Sequence, residues 1–344
     1  MSDIGLKNDE GLPMPASHPP SQPLYPTEAW KTVSVAGLLL FALIGNVFAL
    51  AIVHDYTTRN DELPDLAFKL IPYQAWAYPS FDIVMFGVMA MAIIILILLH
   101  PLRSIITRRW MFLAFELYVI RIVCLSVTVL PTSVHNNALV CAPVNEHTNV
   151  ATVTRRVLLF FTGVAHVSDR QLNDGGMMCG DLIYSGHTIQ MCLACFMLVH
   201  YTPGGSVGWL MFRVCIRLVT LFGLICLVIS RAHYVVDVFI AYMFVTLLFS
   251  LYHSYCEQPD RPINQHTTSA LMLPIEWLEE NVPAGPLPCR LAWPFNAPRW
   301  AVQFIDRLNT SAGDQRLLDV NVKTHQTNNT TSEEHLYGTF EQQT

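Results

Sequence analysis

Two short stretches carry residues whose types and spacing point to chemistry: "CGDLIYSGHT", Cys179 to Thr188, and "SRAHYVVDV", Ser230 to Val238. In the second, His233 and Asp237 are four residues apart, so at about 3.6 residues per turn they share one helix face. A carboxylate placed there accepts a proton from one imidazole nitrogen and fixes the tautomer, leaving the other nitrogen as nucleophile or base. His187, arriving on a neighbouring helix, can supply the opposite function as general acid. Two histidines and an acid are the minimum set for displacement at phosphorus through a covalent phosphohistidine. Arg231, Ser185 and backbone N–H groups near Gly186 are candidates to hold the phosphate oxygens. A lone histidine near a membrane boundary is more often an interfacial amphipath, and His200 and His253 are read that way. His187, His233 and Asp237 together are read as functional, because ionisable groups inside spanning segments are rare.

The elements that must position these groups are membrane helices. The chain of 344 residues is 52% hydrophobic and 13% charged, with a mean hydropathy of +0.38. A spanning helix needs roughly 20 apolar residues. Six runs meet that length: Thr32–Val53, Pro79–Leu99, Trp110–Leu130, Asp181–Tyr201, Val207–Ile229 and Tyr234–His253. Each must be helical, since a lone strand in lipid leaves its backbone groups unpaired. The expected fold is therefore an all-α polytopic membrane protein, a bundle of six transmembrane helices over residues 32–253. A run at Val157–Val167 is too short to span and reads as re-entrant or interfacial. Residues 1–31 are read as a disordered leader without a cleavable signal peptide, and 254–344 as a tail that is interfacial over Leu271–Leu308, with Trp277, Trp293 and Trp300, and then disordered.

Six crossings put both termini on one side. The short loop "HPLRSIITRRW" carries Arg103, Arg108 and Arg109 without an acid, which marks it as cytosolic. Both termini are then expected in the cytosol, and both chemistry-bearing stretches emerge together at the opposite face. Of the nine cysteines, only Cys141 and Cys179 fall on that face, where two thiols in an oxidising compartment can pair. Cys192 and Cys195, a CxxC on an apolar helix, are read as packing rather than metal or redox chemistry. No cofactor or metal is called for, and the net charge of −6 without a basic cluster excludes nucleic acid.

The two stretches resemble the C-terminal signatures of the sphingomyelin synthase family and, more distantly, the lipid phosphate phosphatase superfamily. Two more segments support the closer match: "ELPDLAFKLIP", Glu62 to Pro72, and "YVIRIVCLSVTVLP", Tyr118 to Pro131. The resemblance runs from about Thr32 to His253. It implies a sphingolipid synthase that moves a phosphocholine or phosphoethanolamine head group from a glycerophospholipid to the primary hydroxyl of ceramide, releasing diacylglycerol. His233, oriented by Asp237, would be the nucleophile and His187 the acid and later the base. The alternative is a lipid phosphate phosphatase passing the phosphohistidine to water. Ceramide, a glycerophospholipid and the bilayer are the implied partners, an oligomer is compatible with the reading, and residence is expected in the Golgi or plasma membrane with the site luminal or extracellular.

Supporting residues follow from the same resemblance. Asp181 positions His187 or a donor amine, or else caps its helix. Arg121 sits near the middle of a span, where a charge costs about 2.5–3.5 kcal/mol on insertion scales. Its candidate partner is Glu116, and the family match adds a role in phosphate binding or site support. Asp65 is either a contact to the donor head group or a solvated loop acid, and Tyr184 completes the set. The chain departs from the family pattern at Val235, where a threonine is usual, and at Lys69, where many relatives carry a second acid.

Overall fold

A computed structural model describes residues 25–57, 63–133, 141, 149–165, 183–258, 273–292 and 300–309. Its helices are α1 (Ala29–Tyr56), α2 (Leu66–Leu70), α3 (Ala77–Ala92, continuing as a π-helical turn Ile93–Leu98), α4 (Arg103–Val127), α5 (Val150–Ala165), α6 (Gly186–Tyr201), α7 (Val207–Ile229), α8 (Val235–Glu257) and α9 (Leu273–Glu279). Residues 300–309 are also helical. The leader before residue 25, Asp181 and the chain beyond residue 309 lie outside the described residues.

Among the described residues, five helices are long and apolar enough to cross a membrane: α1, α3 with its π turn, α4, α7 and α8. Their outward side chains, such as Phe41, Ile83, Leu218 and Leu247, are more than half exposed, which only hydrocarbon tolerates at this density. The chain is thus an all-α polytopic membrane protein. The remaining run differs from its sequence reading, because α6 starts at Gly186 rather than Asp181 and has 16 residues. The reason is local: the Ser185 hydroxyl accepts the Thr188 N–H at 3.2 Å and caps the helix, so Tyr184 and Ser185 stay outside it.

What α6 lacks in length it makes up in burial. Ile189, Met191, Cys192, Leu193, Ala194, Cys195, Met197 and Leu198 are all at most 2% exposed. Four helices, α3, α4, α7 and α8, pack around it. Gly223 of α7 permits a close approach: a Cβ there would sit 2.8 Å from Met191 Sδ and 2.9 Å from Val84 Cγ1. Residues 157–165 of the run read as re-entrant or interfacial belong to α5. Its Val153 and Val157 pack on Val47 and Ala51 of α1, while Arg156 donates to the Ala51 carbonyl and pairs with Asp55 at 2.8 Å.

The end of the bundle away from the α6 N-terminus is closed by buried ion pairs. α4 begins two turns before the expected Trp110, so Arg108 and Arg109, read as loop charges, are inside helix and at most 1% exposed. Arg108 pairs with Glu28 at 3.1 Å, and Arg109 grips Glu279 of α9 with both arms, at 2.9 and 2.6 Å. Trp277 of α9 meets Trp30 edge-on at 5.4 Å, whereas Trp300 is 71% exposed. His253 departs from its reading as an amphipath. It is 4% exposed, its Nδ1–H donates to the Phe249 carbonyl and its Nε2 accepts from the Tyr201 hydroxyl at 2.9 Å. Cys141 is disulfide-bonded. Cys179 lies outside the described residues.

Candidate active site

The two signature stretches meet at one end of the bundle through backbone as well as side chains. The Ser185 N–H donates to the Asp237 carbonyl at 3.4 Å, which fixes the entry of α6 against the first turn of α8. His187 sits in the first turn of α6, and His233 in the turn between α7 and α8. His187 Nδ1 lies 3.4 Å from His233 Nε2, with the rings 5.7 Å apart and inclined at 65°. Behind His233, its Nδ1 faces the Asp237 carboxylate at 3.8 Å. With the His233 proton on that side, Nε2 presents its lone pair toward His187. The Asp237 carboxylate is itself held by the Tyr234 N–H at 3.0 Å. Burial pushes the His233 imidazole down to about 3, and the Arg121 charge acts in the same direction, so the ring is neutral at pH 7.

Arg121 is 2% exposed, and its anchors are not the expected one. Its Nε donates to the Tyr184 carbonyl at 2.7 Å and its Nη1 to the Asn46 side-chain oxygen, while Glu116, on the same helix, forms no ion pair with it. A Cβ on Gly186 would touch the guanidinium at 3.4 Å, so the glycine lets this charge lie along the α6 N-terminus beside His187. Asn46 was not singled out from the sequence. The signal was there: a lone amide in the apolar run "LLLFALIGNVFALAI". Phe81, which meets His187 edge-on at 5.5 Å, gave no signal because it reads as ordinary core.

The other candidates take supporting places. Tyr184 is fully buried, its hydroxyl donates to the Leu117 carbonyl and its ring packs on Phe244. Ser185 spends its hydroxyl on the α6 cap. Asp65 caps two helices at once: one oxygen accepts from Ala67 N at 2.8 Å and the other from Val235 N at 2.9 Å. It therefore binds the α2 segment to the start of α8. Arg231, with φ of 53° in the left-handed region, turns its guanidinium over Phe68 of α2 at 5.1 Å and donates to the Phe68 carbonyl. The structure thus gathers His187, His233, Asp237, Gly186 and Arg121, and rings them with Ser185, Tyr184, Asp65 and Arg231. Asp181 lies outside the described residues.

Comparison with known proteins supplies the family. Phosphatidylcholine:ceramide cholinephosphotransferase 2 of Caenorhabditis elegans is 32% identical over 287 residues, covering 82% of this chain and 83% of that protein. The chain belongs to the sphingomyelin synthase family. Other members of that family align similarly. Phosphatidylcholine:ceramide cholinephosphotransferase 2 of Mus musculus is 29% identical over 280 residues, 80% of this chain and 74% of its own. Sphingomyelin synthase-related protein 1 of Mus musculus is 29% identical over 277 residues, 79% of this chain and 54% of its own. The family described as PAP2 superfamily C-terminal matches residues 178–254, the span from the first signature into the last turn of α8. In this sphingomyelin synthase family chain, the departure at Val235 leaves its backbone N–H held by Asp65, and Lys69 lies on α2.

Proposed function

We propose that the chain transfers a phosphocholine or phosphoethanolamine head group from a glycerophospholipid to ceramide through a phosphohistidine on His233. The observation that carries this reading is the approach of two imidazole nitrogens to 3.4 Å with a carboxylate behind one of them. In-line displacement puts phosphorus between the attacking nitrogen and the leaving oxygen, so the donor enters by parting the two rings. His233 Nε2 attacks phosphorus, the P–O bond to diacylglycerol breaks, and His187 gives its proton to the departing oxygen. Asp237 stabilises the charge that His233 acquires. Arg121, beside His187 at the α6 N-terminus, offsets the charge on the phosphate oxygens. In the second half, the ceramide primary hydroxyl loses its proton to His187 and attacks phosphorus, and the N–P bond breaks to restore His233.

The family's implied setting completes the proposal: six crossings, a luminal or extracellular site, cytosolic termini and residence in the Golgi or plasma membrane. The test is to incubate membranes holding the protein with fluorescent ceramide and defined donor phospholipids. A head-group-bearing ceramide that disappears with His233→Ala is the expected result. Release of free phosphate from a lipid monoester, without transfer to ceramide, overturns the reading in favour of a phosphatase.

A further inference from the structure

One polar pair lies deeper in the bundle than the histidines and is not used by the chemistry above. On α6, Gln190 follows His187 by three residues, which places it about 4.5 Å further along the helix and on nearly the same face. On the facing α4, Tyr118 precedes Arg121 by the same three residues. α4 and α6 run in opposite directions between their ends, so both steps lead away from the site. The result is two levels: Arg121 against Gly186 at the His187 level, and Tyr118 against Gln190 one turn below. The Gln190 side-chain NH₂ donates to the Tyr118 hydroxyl at 2.8 Å. That bond leaves two functions for a ligand. The Gln190 side-chain oxygen has no hydrogen-bond partner among the described residues, and the Tyr118 hydroxyl still has its own proton to donate.

Both side chains border a cavity of about 290 Å³ between α1, α3, α4 and α6. The rest of its wall is almost entirely apolar, including Leu43, Met89, Ile93, Trp110 and Leu193. An acceptor and a donor in such a wall, one helical turn below a reacting centre, select a lipid with the complementary pair close to its reactive hydroxyl. Ceramide has this arrangement. Its amide N–H and carbonyl and its 3-hydroxyl lie within two bonds of the carbon bearing the primary hydroxyl or its neighbour. Diacylglycerol, beyond its reactive hydroxyl, has esters only, and no N–H or second O–H to offer.

We infer that Gln190 and Tyr118 form the acceptor-selecting subsite, Gln190 Oε1 receiving the ceramide amide N–H and the Tyr118 hydroxyl donating to the amide carbonyl or 3-hydroxyl. The parts of the sphingoid and acyl chains next to the amide enter the apolar cavity beneath, and the rest of each chain extends into the bilayer. This rests on the transferase reading above and deepens it. The pair favours the amide lipid over the diacylglycerol product, which would leave the Gln190 oxygen bare in hydrocarbon. Selection of the acceptor is thereby separated from the chemistry by one helix turn.

The test pairs a protein change with a ligand change. In full-length protein reconstituted in phosphatidylcholine vesicles, kcat/KM is measured for ceramide and for N-methyl ceramide, which lacks the amide proton. The wild type is expected to favour ceramide by about 10- to 100-fold. In Gln190→Leu that preference falls to near unity, and Tyr118→Phe reduces it in part. KM for the donor phospholipid stays unchanged in both, which a general disturbance of the fold would not allow. Wild-type transfer with the ceramide preference intact in Gln190→Leu overturns this inference alone. Transfer to neither acceptor by the wild type overturns the transferase reading, and this inference with it.

Discussion

The two ends of the helix bundle each bury a cluster of titratable groups, and the Arg109 network at one end and the paired histidines at the other use them in opposite ways. At the far end every strong donor of the Arg109 network has a partner, whereas the neighbouring Arg108, paired with Glu28 through Nη1, leaves Nε and Nη2 without a hydrogen bond among the described residues. The guanidinium grips Glu279 with two arms and donates to Tyr201, Tyr201 donates to His253, His253 donates to Phe249, and Tyr252 adds a bond to Glu279 at 2.8 Å. Burial alone would raise the Glu279 carboxyl, but the Arg109 charge beside it outweighs burial and holds it below the usual range. At the site end, Thr188 Oγ1, His233 Nδ1 and Asp237 Oδ1 are buried without a hydrogen bond among the described residues. A satisfied network fixes the fold, because breaking any bond in low dielectric is expensive. An unsatisfied one leaves groups free to exchange protons and bonds with a substrate, at some expense in stability.

That contrast predicts opposite responses to substitution. His233→Ala should reduce head-group transfer by about 10⁴-fold or more, with little loss of thermal stability in detergent. A destabilised but active His233→Ala protein would erase the distinction between the two ends. Glu279→Gln leaves Arg109 buried without its counter-charge and should lower stability by about 3–5 kcal/mol, while the protein that remains folded keeps its kcat. Asn46→Leu should lie between, since it removes a partner of Arg121: transfer falls by about 10-fold and stability by about 1–3 kcal/mol. Asp65→Ala is expected to have the mildest effect, about 1–2 kcal/mol from loss of two helix caps, read as earlier proteolysis of the α2 segment with activity retained.

The far-end pair also sets a pH limit. A carboxyl held below its free value contributes stability that is full above the unfolded pKa, near 4.5, and is lost as pH falls through the folded value. The difference in melting temperature between wild type and Glu279→Gln should therefore shrink below about pH 4.5. A constant difference down to pH 3 would show that Arg109 does not act on Glu279 through charge.

Much of the site was legible because its chemistry is local in sequence. Ser185-Gly186-His187 and His233…Asp237 are short stretches that the apolar runs place at helix starts, although His233 lies in the turn two residues before α8 rather than on one helix face with Asp237. The partner of Arg121 was not legible in this way. Glu116 is near it in sequence and opposite in charge, yet the guanidinium reaches an amide on α1 and a carbonyl before α6. Nothing local encodes which helix face turns toward α4. The same limit applies to Arg108 and Arg109, which read as an exposed basic loop and are buried because residues near 28 and 279, far apart in sequence, fold over them.

The sequence by itself determined that this is a helical membrane protein with two histidines and an aspartate at helix ends, because hydrophobic length and helical periodicity act over a few residues at a time. Only the tertiary structure decided which polar groups are satisfied and which are left for chemistry. That depends on distances between helices, set by packing as at Gly223 and Gly186, and hydrogen bonds discriminate on a scale of tenths of an ångström that no single segment encodes.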